Sequence, residues 1–193
     1  MLTDEQIYQN KVKMVGLLQS LNIDLTELMH YLETHAYFEK PASTTHFMAY
    51  RGGLCEYTLK LCYELGVLAN AYFPGKYTKE DIVRVVFFKN LYRCELYEFY
   101  TKNVKNEATG QWESQGAYRY NENRRAFGDL GFSSYMVAKE FIRLTDEEIE
   151  AITQSDSNNS YAGDIHQILR DYPLVTLLRM ADLAVTYLIK KED

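Results

Sequence analysis

The chain is poor in residues that cross-link or interrupt structure: its 193 residues include three cysteines, three prolines and one tryptophan. Cys55, Cys62 and Cys94 form no CxxC pair and leave an odd thiol, which argues against a disulfide framework or a zinc knuckle and fits a reducing compartment. Long apolar runs are also missing, and the opening M-L-T-D-E-Q-I lacks the basic region and apolar stretch of a signal peptide. The expectation is a cytoplasmic protein without membrane association. There is no G-x-G-x-x-G, P-loop or G-x-S-x-G, and Cys55 has no adjacent base, so nucleophilic catalysis has little support. The net charge of -6 argues against nonspecific DNA binding, although a local cationic pocket could still hold a phosphate.

What the chain does have is helix punctuation and tyrosine. Capping patterns occur at T-D-E-Q (3–6), D-L-T-E (24–27) and T-D-E-E (145–148). Apolar residues recur at helical spacing from Leu54 to Ala69, after a turn supplied by Gly52 and Gly53. Two further core helices are expected, from Lys79 to Leu91 and from Pro173 to Ile189. The stretch 97–120 is instead rich in aromatic and β-branched residues around the turn-like A-T-G-Q and reads as a β-hairpin. Residues 155–171 read as a polar loop. The expected fold is mainly α, a single domain over residues 1–193 with an inserted hairpin at about 97–120. The 17 tyrosines suit an aromatic core or a partner surface as well as they suit base stacking.

Charge placed inside apolar runs marks the candidate site. Lys89 and Asn90 end V-V-F-F-K-N, and Asp182 sits in R-M-A-D-L-A-V, where unpaired burial would be costly. Asp182 could pair locally with Arg179 on a partly wet face, or it could line a pocket. Lys89 could snorkel to solvent, or it could meet Asp182.

Three segments together carry a family likeness: P-A-S-T-T-H-F-M-A-Y-R-G-G-L-C-E-Y at 41–57, F-F-K-N-L-Y-R at 87–93, and M-A-D-L-A at 180–184. Over about Asp24 to Leu188 the chain resembles the HD-domain phosphohydrolases, in particular the compact bacterial and phage branch similar to the HD domain of a 3′–5′ exoribonuclease. In that branch the loop reads P-A-S-T-x-H-H-x-x-Y-x-G-G-L-x-E-H, the next helix ends in H-D-x-x-K, and the last carries A-D.

The resemblance implies a helical domain whose histidines and aspartates hold divalent metal for attack on phosphorus. It also implies that most of this machinery is lost. The metal-ligand positions are occupied by Tyr57, Lys89, Asn90, Leu130, Ser155 and Asp182, of which Asp182 alone keeps the family residue. A protonated lysine cannot ligate a metal and would repel one. Neither a metal nor another cofactor is therefore expected.

The resemblance thus implies a catalytically inactive scaffold or protein-interaction module, in a phage or mobile-element setting. Trp112, Tyr118 and Tyr120 are candidate partner anchors, because aromatic residues dominate interface hot spots. The alternative is a metal-independent binder of a nucleotide or phosphorylated ligand, with Lys89, Arg93, Arg51, Arg124 and Arg125 as a phosphate-binding edge. A third reading keeps phosphohydrolase activity with magnesium held by Asp129, Asp156 and Asp182. His46 matches one loop histidine and reads as a structural hydrogen-bonder.

Overall fold

The fold is mainly helical with one hairpin, seen in a computed structural model that describes residues 2–155 and 165–188. In chain order, α1 (Asp4–Leu18) and α2 (Leu25–Thr34) lead through a single 3-10 turn, Tyr37–Glu39, into α3 (Gly53–Tyr72), α4 (Lys79–Leu91) and the short α5 (Arg93–Leu96). Strands β1 (Tyr97–Lys105) and β2 (Trp112–Tyr120) follow, then α6 (Leu130–Ala138), α7 (Asp146–Gln154), α8 (Ile165–Asp171) and α9 (Pro173–Leu183), which runs on into a π-helical turn, Ala184–Leu188.

The capping patterns act as the sequence suggests. Thr3, Thr78 and Thr145 each accept a hydrogen bond from the backbone three residues on, and the side chains of Gln6, Asp81 and Glu148 answer in return. Asp24 caps α2 by accepting from the Thr26 N–H at 2.8 Å. α3 packs against α1, α4 and α9, and α4 also packs against α6 and α7. Because α4 is enclosed on several sides, it buries Val83, Val85, Val86, Phe87, Phe88 and Leu91 around its circumference.

One expectation changes. The polar stretch read as a loop over 155–171 contains α8, whose Ile168 and Leu169 pack on the core; residues 156–164 lie outside the described residues. Two apolar side chains against a neighbouring helix outweigh the weak local signal. The last core helix runs on past Leu183 as a π-helical turn to Leu188, and Ile189, its expected end, lies outside the described residues.

The hairpin spans the expected residues in antiparallel register, from Tyr97 opposite Tyr120 to Lys105 opposite Trp112. Its turn closes through the Asn106 side chain, which accepts from the Ala108 and Thr109 N–H groups, and through Gly110 at φ 70°. Among the described residues no helix is long and apolar enough to cross a membrane.

Candidate functional site

Asp182, Tyr57 and Lys89 come together at the centre of the fold from α9, α3 and α4. The Tyr57 hydroxyl donates to Asp182 Oδ1, and Lys89 Nζ stands 3.4 Å from the same oxygen. Tyr57 and Lys89 are wholly buried, whereas the Asp182 side chain keeps 22 % of its surface exposed. Burial pushes the Asp182 carboxyl up to about 7. An ammonium and a phenol thus share one carboxylate oxygen, which suits charge neutralisation better than ligation of a cation. Lys89 does not snorkel. Arg179, the local candidate for Asp182, donates to the Gln154 carbonyl at 3.0 and 2.6 Å and ties the end of α7 to α9.

The P-A-S-T-T-H loop frames this cluster. Ser43 Oγ accepts from the His46 N–H at 3.1 Å and donates to the Phe47 carbonyl at 2.7 Å, fixing the turn. Phe47 then packs on the Tyr57 ring at 5.0 Å. His46 itself is exposed and contributes its backbone. Gly52, at φ 82°, is the left-handed N-cap of α3, and a Cβ on Gly53 would lie 2.2 Å from the Met48 carbonyl oxygen. The two glycines therefore set the angle at which α3 delivers Tyr57.

Arg93 lies beside the cluster, with its guanidinium 5.9 Å from the Tyr57 ring centroid and NH1 3.5 Å from the Ala42 carbonyl. Asn90 is fully buried, and among the described residues neither its amide oxygen nor its amide nitrogen finds a hydrogen-bond partner. Leu130 opens α6 and Ser155 closes α7, and these helix ends meet where Gly131 abuts the Thr153 carbonyl. Ser155 is bonded locally, to the Ile152 carbonyl at 3.5 Å. Asp129 is the N-cap of α6, accepting from the Phe132 N–H at 2.8 Å, and Asp156 lies outside the described residues. Among the described residues no three His, Cys, Asp or Glu side chains converge.

The remaining arginines do not form one edge. Arg51 is held by Asp4 and Glu39. Arg125 binds Glu95 through Nε at 3.0 and 3.1 Å and Glu140 at 2.8 Å, and Arg124 donates to the Asn121 carbonyl at 2.9 Å. Arg124 and Arg125 line a small cleft with His35 and Tyr31, apart from the cleft that Arg51 lines beside the hairpin.

The Glu95 cluster is a feature the sequence reading missed. Glu95 is buried and accepts a 2.5 Å hydrogen bond from the Tyr31 hydroxyl as well as those from Arg125. Burial opposes its ionisation, yet the Arg125 and Tyr31 hydrogen bonds outweigh burial and hold its carboxyl below the ordinary value. The signal was available: Glu95 in L-Y-R-C-E-L-Y is an acid inside an apolar run, as Asp182 is.

Of the hairpin candidates, Trp112 and Tyr120 are 70 % and 58 % exposed. Tyr118 is half-buried and faces Phe99 edge-on at 5.6 Å. No family model matches the chain, and neither does any curated protein or solved structure.

Proposed function

We infer that this chain is an HD-like helical scaffold whose metal site has been replaced by the Tyr57–Asp182–Lys89 cluster, and that it acts by binding a protein partner rather than by hydrolysis. The observation that carries this reading is the sharing of Asp182 Oδ1 by Lys89 and Tyr57, two of the residues that stand where the resemblance expects metal-binding histidines. A fixed ammonium supplies the charge that an ion would bring, and it disfavours entry of a divalent cation. The partner surface is the hairpin tip. Trp112 and Val104 are exposed there on a two-stranded ribbon that extends beyond the core, and a large exposed aromatic is the usual anchor of an interface.

Elemental analysis of the dialysed protein, together with manganese- and magnesium-dependent hydrolysis of phosphodiesters, tests this reading. The expected outcome is no stoichiometric metal and no turnover. About one metal per chain, with turnover abolished by Asp182→Ala, would overturn it.

Asn90 favours a second reading. Asn90 follows Lys89 in α4, and a fully buried amide that makes no hydrogen bond among the described residues is suited to a small polar ligand. If that is correct, inorganic phosphate or a nucleotide raises the melting temperature of the wild-type protein but not of Asn90→Leu.

A further inference from the structure

The hairpin has two strand edges, and its register fixes which backbone groups each edge presents. The ladder is flanked by hydrogen bonds from the Asn121 N–H to the Leu96 carbonyl and from the Asn106 N–H to the Gln111 carbonyl, both 2.8 Å. In an antiparallel pair, facing residues that exchange both bonds alternate with facing residues that exchange none. In β2 the residues that turn their N–H and C=O groups outward are therefore Trp112, Ser114, Gly116, Tyr118 and Tyr120, and in β1 they are the odd-numbered ones. The two edges differ. On β1, Lys40 Nζ donates to the Tyr97 carbonyl at 2.6 Å and closes the base of the edge. Among the described residues no hydrogen bond reaches the outward groups of β2. That strand also lacks the usual edge defences: its 9 residues keep an unbroken register and include no proline, bulge or lysine.

The sequence of β2, W-E-S-Q-G-A-Y-R-Y, is complementary to its own reverse. Laid antiparallel on itself about Gly116, the strand sets Trp112 opposite Tyr120 and Glu113 opposite Arg119 at both ends. The same register brings outward groups to outward groups, since Ser114 falls opposite Tyr118 and Gly116 opposite itself. Glu113 accepts from the Asn106 amide at 2.7 Å and has no cationic partner among the described residues. Arg119 donates through Nε to Glu98 at 2.7 Å, yet 60 % of its side chain stays exposed, so its Nη groups can serve a second carboxylate. Trp112 and Tyr120 are exposed on the other face of the ribbon. β1 has no such symmetry: reversed about Thr101, it sets Glu98 opposite Val104 and pairs no acid with a base.

We propose that two copies of this chain pair edge to edge through β2, antiparallel and two-fold symmetric about Gly116, so that their hairpins form one sheet in the order β1–β2–β2–β1. Each copy offers the other the same surface, as closed two-fold association requires. Glycine on the axis lets the two backbones meet without a side chain between them. The proposal rests on the hairpin being a contact surface, as inferred above, and names a second copy as its partner. It does not depend on the state of the Asp182 cluster.

Sedimentation velocity of the full chain tests the assignment, and a concentration-dependent dimer is expected by about 100 µM. Ser114→Pro and Asn103→Pro form a matched pair. The two residues face each other across the hairpin and both N–H groups point outward, so neither proline removes a bond from the ladder. Ser114→Pro should weaken the dimer by at least about tenfold, whereas Asn103→Pro, on the other edge, should leave it unchanged. Circular dichroism checks that both are folded. Glu113→Arg and Arg119→Glu should each be monomeric alone, because each sets like charges opposite one another across the axis. An equimolar mixture of the two should dimerise, because the mixed pair carries opposite charges at both ends, and that recovery also shows that both variants are folded. The proposal is overturned by a wild-type chain that stays monomeric at about 100 µM, by full affinity in folded Ser114→Pro, by loss of the dimer in folded Asn103→Pro, or by a mixture no more dimeric than its components. A monomeric wild type would leave the hairpin to another protein, whereas stoichiometric metal with turnover would overturn the scaffold reading and leave the dimer standing.

Discussion

Lys89 Nζ stands 3.4 Å from Asp182 Oδ1, and the two residues are joined across α4 and α9 by a carboxylate that also accepts the Tyr57 hydroxyl. Since Lys89 is wholly buried, Lys89→Ala leaves a largely enclosed carboxylate without its cation. A loss of about 3 kcal/mol is expected in urea unfolding at about pH 9, above the raised value of the Asp182 carboxyl, because breaking a buried pair then strands the surviving charge. A loss below about 1 kcal/mol would mean that the pair behaves as a surface contact.

Asp182 should also make stability depend on pH. Its carboxyl rises on folding from 3.8 to about 7, so the native state binds more protons than the unfolded state between those values. The resulting stabilisation is full below 3.8 and is lost as pH rises through about 7. Unfolding free energies measured from about pH 5 to about pH 8 should therefore fall for the wild type by up to a few kcal/mol relative to Asp182→Asn, which lacks this proton uptake. Parallel profiles would exclude Asp182 as the titrating group.

Glu95 predicts the opposite sign. Its carboxyl is depressed by Arg125 and Tyr31 against the cost of burial, so its contribution is present above the ordinary carboxylate range and is lost as pH falls through the depressed value. Arg125→Ala should cost about 2–4 kcal/mol at neutral pH, and adding Glu95→Gln should restore part of that loss by removing the stranded charge. A double-mutant cycle without coupling between the two positions would contradict the network.

The glycines of α3 should respond in opposite directions. Gly53→Ala drives a Cβ against the Met48 carbonyl and should destabilise by roughly 1–3 kcal/mol. Gly66 has open space around it in the middle of the same helix, so Gly66→Ala should stabilise by about 0.5–1 kcal/mol. Thermal unfolding of the two variants is sufficient to check both.

The family alignment is open to a direct test. Tyr57→His, Lys89→His and Asn90→Asp together should create a metal site around Asp182, read by elemental analysis or by a metal-dependent rise in melting temperature. Binding should appear without hydrolysis, because the residues that would orient the new ligands are not provided. A folded triple variant that takes up no metal would show that these positions do not correspond to the family's metal ligands.

Local chemistry was enough to determine where the helices begin. Thr3, Thr78 and Thr145 cap through atoms three residues away, so α1, α4 and α7 start where the sequence indicates. The hairpin was legible for the same reason: alternation along the strands and a turn closed by Asn106 and Gly110 are short-range properties. The charges inside apolar runs also marked Asp182 and Lys89 as residues in need of partners. Which partners they found was not local. Tyr57 and Asp182 are separated by 125 positions and Tyr31 and Glu95 by 64; the first meeting follows from how α3 packs on α9, the second from how α2 comes against α5. The same packing sends Arg51, Arg93 and Arg125 to different neighbours, although their residue type alone had suggested a shared phosphate edge. It also forms α8 from a stretch with weak helical signals, because burial of Ile168 and Leu169 is available only once the core is in place.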